Sequence, residues 1–129
     1  MKFAHKFIAE KQLVVVKVTG DYHPRLSGEV IKLIFNAINK DSFNKALFDF
    51  REATILFDTL TTYHRASTYI KVGFKRTVKY AYVFNELTDQ IHFLETVMQN
   101  NGFIFSVFTD YETALGWLLN SKNSYGNSG

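Results

Sequence analysis

Residues 46–53 read Ala46-Leu47-Phe48-Asp49-Phe50-Arg51-Glu52-Ala53, an apolar run that ends abruptly in charge. An apolar stretch of this length bounded by polar residues marks a strand buried on both faces, here placed at 45–50. Downstream, Asp58-Thr59 stands where a helix N-cap belongs. Leu60, Tyr63, His64, Ser67 and Ile70 follow at three- and four-residue spacing, the expected inward face of a helix that ends near Gly73.

The same strand-then-helix unit repeats outward in both directions. Val78-Lys79-Tyr80-Ala81-Tyr82-Val83-Phe84 is strand-like by alternation and aromatic content. Leu87, Ile91, Leu94, Val97 and Met98 give a helix stopped by Asn101-Gly102, which suits a left-handed C-terminal cap. Residues 103–108 form a last strand. Thr109 and Glu112 have capping-box spacing ahead of a helix with Ala114, Leu115 and Leu118 on its apolar face and Trp117 expected in the core. Upstream, residues 3–9 and 12–19 read as a hairpin turning at Glu10-Lys11-Gln12, and Pro24 opens a helix over 24–39.

The resulting order, ββαβαβαβα, predicts an α/β fold: five strands in a mostly parallel mixed sheet with about four helices. Parallel neighbours joined through helices require right-handed crossovers, and only residues 3–9 run antiparallel to their partner. A single domain over 1–120 is expected, followed by a Ser-, Asn- and Gly-rich flexible tail over 121–129.

Composition narrows the function classes. The chain of 129 residues is 47% hydrophobic and 21% charged, with thirteen Phe, seven Tyr and no Cys. Thiol nucleophiles, disulfides and thiolate zinc sites are therefore excluded. No run approaches the ~18 apolar residues of a membrane span, and the N-terminus lacks the apolar core of a signal peptide, so a cytoplasmic protein is expected. A net charge of +3 with interspersed acidic residues does not call for nucleic acid. His5, His23, His64 and His92 fall in four separate elements without ligand-like spacing. There is no phosphate-cradling glycine loop or nucleophile elbow. No catalytic residue, metal or cofactor is expected, and the chain reads as a non-enzyme.

The strand Phe48-Asp49-Phe50-Arg51 with Glu52-Ala53, the strand Tyr80-Ala81-Tyr82-Val83 after basic residues, and the ending Val107-Phe108-Thr109-Asp110-Tyr111-Glu112-Thr113-Ala114-Leu115-Gly116-Trp117-Leu118 come in an order that resembles the STAS-like superfamily. The likeness is to bacterial anti-sigma-factor antagonists, particularly the small stand-alone branch that is also similar to Sec14-type lipid-binding domains. It spans about Phe7 to Leu119. In the antagonists an aspartate precedes a phosphorylatable serine or threonine at the start of the second helix, so the resemblance implies Thr59 as a phosphoacceptor beside Asp58. It also implies a partner-switching module whose partner is a regulatory protein.

Two readings follow. In the first, a non-catalytic regulatory module binds protein through Asp49, Arg51, Asp58, Thr59 and Tyr63. In the alternative, a small ligand or lipid occupies a crevice beside the second and third helices, lined by Tyr63, Tyr69, Phe74 and Phe93. Asp49 and Arg51 flank Phe50 and so share a face near the C-terminal end of their strand, where open α/β sheets place ligand crevices. The run Lys71, Lys75, Arg76, Lys79 is assigned to helix-terminus and solvent contacts. A homodimer stays open.

Overall fold

A computed structural model describes residues 2–21, 28–55 and 59–120. Its elements are β1 (Lys2–Ile8), β2 (Leu13–Asp21), α1 (Gly28–Lys40), β3 (Lys45–Thr54), α2 (Thr59–Val72), β4 (Lys79–Val83), α3 (Asp89–Asn100), β5 (Ile104–Phe108) and α4 (Tyr111–Leu119). The five strands form one sheet in chain order, with β1 antiparallel to β2 and every other pair parallel. This is the expected α/β arrangement. The hairpin turns through a short 3-10 segment, Ala9–Lys11, and closes on Gln12 in the left-handed region at φ 52°. Pro24, Asp58 and the tail from 121 lie outside the described residues.

Because each parallel strand is added on the same side of its predecessor, right-handed crossovers bring α1, α2 and α3 to one face of the sheet. The side chains bear this out. Val14, Val16, Val18, Phe48, Phe50, Tyr80, Tyr82, Phe105 and Val107 pack against Val30, Ile34 and Ile38 of α1, Ala66 and Tyr69 of α2, and Leu94 and Met98 of α3. The opposite face holds a smaller core in which Ala114 and Leu118 of α4 cover Leu13, Val15, Leu47, Ala81 and Val83. Two-sided burial explains why β2 to β4 read as near-continuous apolar runs.

Three local details differ from the sequence expectation. Asp110, one residue later than expected, caps α4: its carboxylate accepts from the backbone N–H and the hydroxyl of Thr113, both at 2.8 Å. Those two bonds hold the Asp110 carboxyl below the usual range. Trp117 is only partly buried, against Phe108 at 5.6 Å between ring centres, because Ala114 and Leu118 make the contact with the sheet. The basic residues after α2 serve other helices. Lys79 Nζ donates to the carbonyls of Trp117 and Asn120 at 3.2 and 2.8 Å, closing the end of α4, while Arg76 Nε donates to Asn101 O at the end of α3.

The outer edge of β5 is covered by α3. Glu95 Oε2 accepts from Val107 N at 2.9 Å and Ser106 Oγ at 3.0 Å, and Gln99 Nε2 donates to Phe105 O at 2.8 Å. Residues four apart on one helix thus supply the partners a sixth strand would supply.

Candidate functional site

β3 continues beyond the expected residue 50 through a bulge. Lys17 lies opposite Asp49 and Thr19 opposite Glu52, so β3 carries one residue more than β2 over this interval. A bulge disturbs the ladder and leaves backbone groups in need of partners. Asp49 supplies one: its Oδ1 accepts from Arg51 N at 3.1 Å. The Arg51 side chain then folds back on the same carboxylate, with Nε to Oδ1 and Nη2 to Oδ2 both at 2.9 Å. Burial pushes the Asp49 carboxyl up, and the Arg51 bonds and charge outweigh it, so the net shift is downward. The outer side of the guanidinium stacks over the Tyr111 ring at the start of α4, 5.2 Å from its centre.

Around this pair the sheet face is open beside the start of α4. Ala4, His5, Lys6, Val15, Lys17, Asp49 and Tyr111 line a shallow depression of about 250 Å3. Lys17 is engaged by Glu52 at 2.6 Å. The Asp49 and Arg51 side chains are thus committed to each other and to the bulge, and the depression between them and β1 is wide and polar at its rim.

On the other face of the sheet α2 sits the opposite way round from its apolar spacing. Its buried residues are Thr62, Arg65, Ala66 and Tyr69, whereas Leu60, Tyr63 and Ile70, expected inside, are 79%, 55% and 43% exposed. Polar contacts hold this orientation. Arg65 Nη1 donates to Tyr82 Oη at 2.9 Å, and the Tyr82 and Tyr69 hydroxyls lie 2.6 Å apart beneath the helix. Burial, with Tyr82 alongside, drives the Tyr69 hydroxyl far above its ordinary value, so it stays protonated. The Thr62 hydroxyl is fully buried and has no hydrogen-bond partner.

The residues named from sequence therefore divide. Asp49 and Arg51 face α4, while Thr59 is exposed as the first residue of α2 and Tyr63 lies on the outer surface of that helix, edge-to-face with Phe93 of α3 at 5.7 Å. Tyr69 and Phe74 are in the core, 4.5 Å apart between ring centres and next to Tyr80. The Asp49–Arg51 pair and Tyr63 therefore lie on opposite faces of the sheet. Leu60 and Ile70 are the surface residues the sequence reading turned inward, and the signal available was the pair Arg65–Tyr69, four apart, which gives the helix a polar side capable of internal hydrogen bonds. Among the described residues no group of three or more His, Cys, Asp or Glu side chains is placed to hold a metal ion. No described helix is long and apolar enough to cross a membrane.

No protein-family model matches the sequence, and no curated protein matches it. A solved structure of an anti-sigma factor antagonist from Mycobacterium paratuberculosis superposes with a TM-score of 0.56, covering 91% of this chain and 94% of that one at 18% identity. The fold is STAS-like. At that identity the match carries the STAS-like fold, and the roles of individual residues rest on this chain's own geometry. Within the STAS-like frame Thr59 falls at the start of the second helix, with Asp58 outside the described residues.

Proposed function

We propose that the chain is a non-catalytic regulatory module, acting in the cytoplasm, that binds a partner protein on the outer face of α2. The observation that carries this reading is the outward apolar stripe Leu60, Tyr63 and Ile70, spaced three and seven residues apart on one side of the helix. Single exposed apolar residues are ordinary, but an aligned set on a helix whose polar side is turned inward has no role in this chain's own core. Such a stripe presents what a helix groove or a second helix recognises. Thr59 stands exposed at the head of the stripe. A phosphate there would sit at the positive end of the helix dipole while adding nearly two negative charges beside the docking surface, which makes it a release signal.

The test is comparative capture. The parent protein and a Leu60→Ser, Tyr63→Ser, Ile70→Ser variant are used as bait for soluble proteins, with thermal unfolding measured for both. The reading expects the parent to retain a defined partner that the variant loses at an unchanged or raised melting temperature. Equal capture by both, or lipid as the retained species in both, would refute it.

A further inference from the structure

The two edges of the sheet are treated differently. β5 has its outer backbone groups bonded by Glu95 and Gln99, but β1 presents seven residues, Lys2 to Ile8, to which no described side chain bonds at the outer edge. Most of β1 is exposed, and Phe7 is 44% exposed against Phe43, 5.3 Å away between ring centres. A long uncovered edge is a template for another strand.

The pattern within β1 selects the strand that fits. Pairing with β2 places Phe3, His5 and Phe7 opposite Val18, Val16 and Val14, on the α1 face, and Lys2, Ala4, Lys6 and Ile8 on the other. We propose that β1 pairs antiparallel with β1 of a second copy about a two-fold axis perpendicular to the sheet at His5. This register uses all seven residues. It sets Phe3 against Phe7 of the second copy and the reverse, Lys2 against Ile8, Ala4 against Lys6, and His5 against its own equivalent. No lysine opposes a lysine. Moving the axis to Ala4 pairs Lys2 with Lys6, and moving it to Lys6 pairs Lys6 with itself, like-charge contacts that disfavour both.

The α1 helices leave room for this. Three strand spacings separate the two β2 strands, about 14 Å, more than the 8–10 Å at which helices touch, so the gap over the joined edge fits the Phe3 and Phe7 rings. The gap already exists on one side as a groove of about 350 Å3 lined by Phe7, Leu33 and Ala37, with Lys32 and Asp41 on its rim. Two-fold symmetry reverses the order of those charges, so Asp41 of the second copy lies toward the Lys32 end of the first. Second-copy pairing thus agrees in register, face and charge.

Sedimentation of the intact protein, His5→Glu, His5→Lys and an equal mixture of the two variants tests it, at about 100 µM because a strand pair buries a modest area. The parent is expected to dimerise with its β1 amides protected from hydrogen exchange. Each variant places like charges at the axis and should weaken the dimer by about tenfold or more. The mixture should restore it as a heterodimer. A parent that is monomeric with freely exchanging β1 amides leaves the edge to another chain and overturns the proposal, as does a dimer indifferent to both substitutions.

Discussion

Asp49 and Arg51, two residues apart on one strand, are joined by three hydrogen bonds, two from the guanidinium and one from the Arg51 backbone. The carboxylate is buried and the arginine side chain is 40% exposed, so the pair is asymmetric in solvent access. Arg51→Ala strips two charge-assisted bonds from a buried acceptor and is expected to cost about 1–3 kcal/mol, with Arg51→Lys recovering part of it. Urea denaturation checks this. A cost below about 0.5 kcal/mol would mean that water replaces the guanidinium without penalty.

The same pair sets an acid limb. The folded-state value of Asp49 lies below its unfolded one, so its contribution is complete above the unfolded value, about 4, and is lost as pH falls through the folded value. Asp49→Asn is expected to be less stable than the parent at pH 7 and to show a shallower loss between pH 5 and the acid transition. Asp110 keeps its own depressed value in this variant, so some acid dependence remains. Parallel denaturation curves for the two proteins across this range would contradict the assignment.

Thr62 buries a hydroxyl without a partner. Thr62→Val replaces it with a methyl of similar shape, removes the desolvation cost, and is expected to raise stability by about 1 kcal/mol. A calorimetric melting temperature below that of the parent would show that the hydroxyl is satisfied in solution.

Lys79 closes α4 from a buried position on β4, and burial lowers its amine below the ordinary lysine value, with Lys45 adding to the shift. Lys79→Met keeps the stem and removes the donor, and is expected to cost about 1–2 kcal/mol. The loss should appear first as faster amide exchange in residues 115–119 rather than across the sheet.

Thr59→Glu is expected to weaken capture of the α2 partner while leaving the melting temperature nearly unchanged, since an acidic group is acceptable in the first turn of a helix. Thr59→Ala should retain capture and abolish any phosphate-dependent release. Identical capture by both, with no phosphate on Thr59 in cells, would remove the switch.

The strands and their directions were legible because two-sided burial writes itself as continuous apolar runs, and Gly73 and Gly102, both at φ +89°, ended helices as their position in the sequence suggests. The orientation of α2 was not. Spacing alone favoured Leu60, Tyr63 and Ile70 as the inner face, and only the tertiary network of Arg65 with Tyr69 and Tyr82 reverses it. Nor was the β3 bulge visible, because its signature is a register shift against Lys17 and Thr19 on a neighbouring strand. Alternation along a strand puts Asp49 and Arg51 on one face, but spacing alone does not specify that they bond each other.

The one-directional order of the strands reaches beyond packing. Ligand crevices in open α/β sheets form at a topological switch point, where two adjacent connections depart toward opposite faces and part the strand ends between them. Here β2 to β5 advance without reversal and their three connecting helices lie on one face of the sheet, so no such parting occurs among these strands. An interface on the outer side of α2 or along β1, as proposed above, needs no such parting, because a helix face and a strand edge present their groups without a crevice between strands.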